Sequence, residues 1–118
     1  MTKEKLNNFQ IDRRLRQDFK ATSYNLGYTS MKQCLIDELD RIMNDDESIY
    51  KIKTPEKDNL VNFTILLDDN YKQSLKNFVN NTEVKILRDF IATAMINVIK
   101  SDNESYDETQ FVAYEDVS

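Results

Sequence analysis

Two stretches of the sequence carry the same order of apolar and polar residues. They are NNFQIDRRLRQDFKATSYNLGYTSMKQCLIDEL, residues 7–39, and VNFTILLDDNYKQSLKNFVNNTEVKILRDFIATAM, residues 61–95. Each begins with an alternating segment, which predicts a strand, and continues with apolar residues three or four apart, which predicts two helices. An offset of 56 positions superposes the stretches without a gap, so that Phe9 falls on Ile65 and Leu35 on Ile91. The sequence therefore predicts an internal duplication of a strand-helix-helix unit.

Polar residues predict where the helices of the first unit begin and end. We expect Asp12 to cap the first helix, Gly27 to end it in the left-handed conformation, and Thr29 to cap the second helix. In the second unit the corresponding places are taken by Asp68 or Asp69, by Asn80 and Asn81, which tolerate the left-handed region, and by Thr82.

The predicted units divide the chain into four parts. They are a first unit over 1–44, a charged linker over 45–58, a second unit over 59–100 and an acidic, disordered tail over 101–118. One strand alone leaves both of its edges unpaired, so we expect the two predicted strands to pair antiparallel within one domain. The fold class is therefore mainly α with a short two-stranded antiparallel β-ribbon.

The composition excludes several kinds of protein. The 118 residues contain no His, one Gly and one Cys, which removes His-based triads, His-based zinc sites, Gly-rich phosphate loops and internal disulfides. We expect no enzyme activity, no metal and no cofactor. Because the chain has neither a secretory pattern nor a membrane-spanning run, we expect a cytoplasmic protein with no membrane partner. Cys34 falls at a core position and is interpreted as a small buried apolar residue.

Charge is distributed unevenly along the chain. Residues 1–35 hold seven basic and three acidic side chains, whereas residues 101–118 hold six acidic side chains and no basic one. The net charge of −5 therefore hides a basic N-terminal part. The acidic tail has three open interpretations: it keeps the protein soluble, binds a protein partner, or screens a basic surface that binds DNA.

The alternation assigns the strand residues to two faces. The inner face comprises Phe9, Ile11, Phe63, Ile65 and Leu67, and the outer face comprises Asn8, Gln10, Asn62, Thr64 and Leu66. The outer residues are either ordinary solvated positions or a recognition surface. An outward Leu66 favours a recognition surface, because an exposed Leu costs solvation unless something covers it. A shift of one residue in the strand pairing would exchange the two faces.

In the order of its elements, the chain resembles the ribbon-helix-helix DNA-binding proteins of the Arc/MetJ type. The two quoted stretches carry the resemblance over about 80 of 118 residues, as a tandem, single-chain pseudo-dimer. The resemblance implies that the outer ribbon residues contact bases in the major groove and that the second helices hold phosphates at their N-termini. Asn and Gln suit adenine, and Thr or Leu suits the thymine methyl group.

Residues of three segments are candidates for contact with phosphates. They are Thr29, Ser30 and Lys32 before and in the second helix, Thr82, Lys85 and Arg88 in the second unit, and Arg13, Arg14 and Arg16 in the first helix. Glu83 lies where a phosphate would approach the second of these sites and departs from the family pattern. The arginine cluster has an alternative interpretation as an ordinary solvated face.

The sequence thus predicts a protein that binds double-stranded DNA sequence-specifically, as a monomer acting as a pseudo-dimer. We expect a transcriptional repressor. The alternatives are an antitoxin whose acidic tail binds a toxin, a plasmid partition or relaxosome accessory protein, and a helical module whose ribbon pairs with another protein's sheet edge. Cooperative assembly along DNA stays open. Because the outer residues of the two units differ, we expect the two halves of the DNA site to differ as well.

Overall fold

The protein is mainly helical and contains a two-stranded antiparallel sheet, which agrees with the sequence prediction. The computed structural model describes residues 4–45, 52–53, 59–82, 86–106 and 113–114. Its elements in chain order are β1 (Glu4–Asp12), α1 (Arg13–Asn25), α2 (Met31–Asp45), β2 (Ile52–Lys53), β3 (Leu60–Asp68), α3 (Asp69–Asn80), α4 (Leu87–Asp102) and β4 (Ala113–Tyr114).

The ribbon consists of β1 and β3, which pair along their whole lengths. Asn8 lies opposite Thr64, Leu6 opposite Leu66, and Gln10 opposite Asn62. The inner residues Phe9, Ile11, Phe63, Ile65 and Leu67 are all buried, so the predicted assignment of the inner face is confirmed. Both strands are longer than the sequence pattern indicates, and β1 begins at Glu4 rather than at residue 7.

Both helices that follow the ribbon strands begin with the same cap. The Asp12 carboxylate accepts hydrogen bonds from the backbone N–H groups of Arg14 and Leu15, and Asp68 does the same for Asn70 and Tyr71. An aspartate in this place satisfies N–H groups that have no partner inside the helix. The predicted cap at Asp12 is confirmed, and Asp68 rather than Asp69 caps α3.

The turn between α1 and α2 agrees with the sequence prediction in its glycine but not in its cap. Gly27 has φ +94°, the left-handed region that L side chains avoid. The Ser30 hydroxyl accepts a 3.2 Å hydrogen bond from the Gln33 N–H, so the cap of α2 is Ser30 and the prediction of Thr29 is wrong.

The turn between α3 and α4 differs from its counterpart. Asn81 has φ −95°, so the prediction of a left-handed residue is wrong there. Thr82 donates its hydroxyl hydrogen to the Val79 carbonyl, whereas α4 begins at Leu87, five residues beyond Thr82, and its N-cap residue Ile86 makes no side-chain cap. The prediction of Thr82 as the cap is therefore also wrong. The Thr82 hydroxyl instead bonds to a carbonyl in the last turn of α3.

Helix α4 is the centre of the core. It packs against the other three long helices and β1, and most of its side chains are buried. The centroids of the Phe78 ring of α3 and the Phe90 ring of α4 lie 5.7 Å apart. The core of the ribbon and helices contains Leu15, Phe19, Leu35, Leu39, Ile42, Leu75, Phe90, Ile91 and Met95, all at most 1% exposed. The inner face of the ribbon is thus closed by the helices, and only its outer face meets solvent.

The segment after residue 100 differs from the predicted disordered tail. Helix α4 continues to Asp102, and Tyr106 packs against the core while its hydroxyl donates to Asp18 of α1 at 2.6 Å. Further on, Ala113 pairs with Lys53 and Tyr114 with Ile52 in a short antiparallel sheet. Residues 46–51 and 54–58 of the predicted linker and residues 107–112 and 115–118 of the predicted tail lie outside the described part of the chain.

Candidate nucleic-acid interface

The outer face of the ribbon carries three pairs of side chains in a row. Leu6–Leu66, Asn8–Thr64 and Gln10–Asn62 follow each other at every second residue, because alternate residues of a strand point to the same side. Gln10 is partly buried and the other five are exposed. The structure therefore brings together all five residues predicted to contact bases, and adds Leu6.

Hydrogen bonds connect the polar members of this row. Asn62 Oδ1 accepts from Gln10 Nε2 and, at 3.2 Å, from Asn8 Nδ2, and the Thr64 hydroxyl donates to Asn8 Oδ1 at 3.2 Å. Since the Asn8 and Gln10 amides of β1 both donate to one oxygen, both are tied to the Asn62 side chain of β3. The row is thus an ordered surface of amide and hydroxyl groups.

The amide groups of the row retain hydrogen-bonding capacity for an outside partner. An amide side chain has one acceptor oxygen and two N–H hydrogens. Within the described residues, Gln10 uses one amide hydrogen and Asn62 uses only its oxygen. A donor and an acceptor on one planar group match the N7 and N6 edge of adenine in the major groove.

The sequence interpretation missed Leu6 because it placed the beginning of the strand at residue 7. The side chain of Leu6 is 73% exposed, and that of its partner Leu66 is 42% exposed. The alternation of β1 extended backwards by two residues from Asn8 would have placed Leu6 on the outer face. One end of the row is therefore apolar and the other is polar.

Arginines of α1 flank the polar end of the row. Arg13 and Arg14 are exposed, as a contact with phosphate requires. Arg16 lies 6.0 Å from the centre of the Phe63 ring, and its Nε atom is buried without a hydrogen-bond partner in the described residues. Arg13, Arg16 and Asn62 are among the residues that line an open cleft of about 260 Å³.

The three candidates around the start of α2 differ in their environments. Thr29 is exposed, Ser30 is engaged in capping, and Lys32 Nζ lies 3.1 Å from Glu4 Oε1. The ion pair places a carboxylate at the point where a phosphate would approach. The sequence did not predict this pair because it joins residues 28 positions apart.

The corresponding candidates of the second unit are less well placed. Thr82 is partly buried and bonded to α3, and Lys85 and Glu83 lie outside the described residues. Arg88 Nε lies 3.8 Å from the carboxylate of Asp89, which is buried. Thr82 and Arg88 thus each face a group of their own chain.

The hydroxyls of Tyr28, Tyr71 and Tyr106 each donate a hydrogen bond to an aspartate on a helix. Tyr71 donates to Asp40 at 2.8 Å and joins α3 to α2, and burial followed by this bond raises the pKa of Tyr71 well above its usual value. The bond from Tyr28 to Asp37 raises the pKa of Tyr28 to about 12. The Tyr71 bond therefore links two helices, whereas the Tyr28 bond ties the turn before α2 to that helix.

The remaining chemistry of the described residues is sparse. Burial raises the pKa of the Cys34 thiol to about 11, so the thiol stays protonated inside the core. No three metal-binding side chains lie together in the described part of the chain. The described helices include none with the length and apolarity to cross a membrane.

Comparisons of the chain with protein families, with curated proteins and with solved structures found no match.

Proposed function

We propose that this protein binds double-stranded DNA sequence-specifically by placing the β1–β3 ribbon in the major groove. The observation that carries the proposal is the outer row, in which hydrogen bonds connect the exposed Asn8, Asn62 and Thr64 and the partly buried Gln10 on a ribbon whose inner face is buried. A two-stranded ribbon fits a major groove about 12 Å wide. Paired strands lie about 4.8 Å apart, which leaves room for side chains at the groove walls.

The arrangement of the elements supports a tandem ribbon-helix-helix pseudo-dimer. The ribbon strands span residues 4–12 and 60–68, the helices after them begin at residues 13 and 69, and the next helices begin at 31 and 87. All of these positions differ by 56. Asn8 and Thr64, which also differ by 56, face each other in the ribbon. A local two-fold axis through this pair would relate the two halves.

The charges around the ribbon support the same proposal. Arg13 and Arg14 are exposed at the beginning of α1, directly after β1, and Arg13 lines an open cleft together with Asn62 at the polar end of the row. Cations beside a groove-reading element hold the phosphate backbone and fix the register on the duplex. Base-contacting and phosphate-contacting groups are therefore adjacent, as DNA binding requires.

Within DNA binding, we infer the role of a transcriptional repressor. An antitoxin needs a C-terminal segment that is available to a toxin. The hydroxyl of Tyr106 instead donates to Asp18 of its own chain, and Ala113–Tyr114 pairs with Ile52–Lys53. The contacts of this segment within the chain favour a repressor over an antitoxin.

The proposal is tested by selection of duplexes from a random-sequence pool with the full chain. We expect enrichment of one motif, bound at least about 10³-fold more tightly than random DNA. Gln10→Ala is expected to reduce the affinity for the motif by ~1–3 kcal/mol and to leave the affinity for random DNA unchanged. Gln73→Ala, on the exposed side of α3, is the matched control. A pool without an enriched motif would overturn the proposal.

A further inference from the structure

We propose that the exposed side chains of Leu6 and Leu66 contact thymine methyl groups in the major groove. Because this contact lies at one end of the ribbon only, the protein binds its DNA site in one orientation. The inference rests on the proposed function and names the bases at one end of the site. Leu6 and Leu66 lie directly opposite each other on the outer face, and both are exposed. The C5-methyl group of thymine is the only apolar group that an ordinary base pair presents in the major groove.

The position of the Leu6–Leu66 pair in the row indicates that its partner is a DNA base. The pair continues the row of Asn8–Thr64 and Gln10–Asn62 at the same spacing. Two residues along a strand cover about 6.7 Å, which corresponds to about two base-pair steps. When the polar pairs lie against base edges, the two leucines therefore lie against bases of the same groove.

The size of the apolar patch argues against a protein partner. Two partly exposed Leu side chains offer on the order of 150 Å² of apolar surface. A stable protein interface covers about 800 Å² on each partner. The neighbouring charged residues Lys5, Asp69, Glu4 and Lys32 form two ion pairs, so the patch has a charged rim rather than an apolar extension.

The two ends of the row differ because the tandem units have diverged at equivalent positions. Gln10 corresponds to Leu66 and Leu6 to Asn62 at the offset of 56. Each end thus combines one residue of each unit, and the amide pair and the leucine pair lie on opposite sides of Asn8–Thr64. Turning the protein end for end on the DNA would place amides against methyl groups and leucines against polar base edges.

The test replaces thymine by deoxyuridine in a duplex selected from the random pool. Deoxyuridine lacks only the methyl group. For the wild-type protein, we expect each deoxyuridine at one end of the motif to lower the affinity for the duplex about fourfold. Deoxyuridine elsewhere in the motif is expected to leave the affinity unchanged. The double variant Leu6→Ala/Leu66→Ala is expected to bind the thymine and deoxyuridine duplexes equally.

Leu26→Ala is the matched control, since Leu26 is 45% exposed but lies in the turn after α1. It is expected to keep the wild-type discrimination, and circular dichroism verifies that the exposed substitutions leave the fold intact. Equal affinity of the wild-type protein for both duplexes would overturn the inference. So would a wild-type dimer in sedimentation that the double variant abolishes. Failure of the selection itself would overturn the proposed function instead.

Discussion

Replacing Glu4 with Gln is expected to strengthen DNA binding, because it releases Lys32 for a phosphate. The Lys32 Nζ to Glu4 Oε1 distance is 3.1 Å, and the two side chains are 35% and 52% exposed. A surface pair of this kind contributes about 0–1 kcal/mol to stability, so the fold survives the substitution. The Glu4 carboxylate, however, pairs with the Lys32 ammonium group, which would otherwise be available to a DNA phosphate at the start of α2.

The magnitude follows from counterion release. Each phosphate contact changes the slope of log K against log salt by about −0.9, so one added contact is worth about eightfold in affinity at 0.1 M salt. Fluorescence anisotropy with a selected duplex at salt concentrations of about 0.05–0.2 M measures both quantities. For Glu4→Gln we expect a slope steeper by about 0.9 and the corresponding gain in affinity.

Two further variants separate this effect from a general change of charge. Glu38→Gln removes an equal charge from α2, at the ion pair with Arg41, and is expected to leave the slope unchanged. In the Lys32→Ala background, Glu4→Gln is expected to have no effect on the slope. An unchanged slope for Glu4→Gln in the wild-type background would show that Glu4 does not hold Lys32 away from a phosphate.

Three other predictions concern stability. Tyr71→Phe is expected to cost about 1–2 kcal/mol in urea unfolding, because it leaves Asp40 without its partly buried partner. The raised pKa of Tyr71 makes folding favour the protonated phenol, so the contribution of Tyr71 to stability is constant below about pH 10 and is lost as the pH rises above 10; the loss of stability above pH 10 is expected to be smaller in Tyr71→Phe. Asp68→Ala is expected to cost about 1 kcal/mol through loss of the α3 cap, and Asp69→Ala clearly less, as measured by thermal unfolding.

Local patterns predicted the ribbon and its inner face well. Alternation assigned Phe9 and Phe63 to the buried side, and the structure confirms it. Burial of one face explains the success, since a shift of one residue would expose the whole apolar set. The aspartate cap at residue 12 was predictable for a similar reason, because its hydrogen bonds reach only two and three residues along the chain.

Features that depend on long-range contacts were not predictable. The pairing of Lys32 with Glu4 and of Tyr106 with Asp18 joins residues 28 and 88 positions apart. The acidic composition of the segment after residue 100 predicted disorder. In the structure, however, Tyr106 packs against the apolar core and donates a hydrogen bond to Asp18 of α1. The sequence contains the aromatic residue but not the place where it binds.

The second inter-helix turn shows a different limit of pattern reasoning. The sequence assigned Asn80 and Asn81 the role of Gly27 in this turn and Thr82 the role of a cap, yet Asn81 keeps a negative φ and Thr82 bonds backwards to α3. The spacing of apolar residues along the helices is constrained by close packing in the core. Turns at the surface are free of that constraint, so the capping of one unit does not transfer to the other.

Contact between the outer ribbon face and DNA bases can be observed by NMR on the full chain with a selected duplex. The side-chain amide groups of Asn8, Gln10 and Asn62 give their own ¹⁵N signals, and we expect all three to shift and to be protected from solvent exchange in the complex. The amide signals of Gln73 and Asn77 on α3, which bond to each other, are expected to stay unchanged. Shifts confined to the helices, with the three ribbon amides unaffected, would contradict the account.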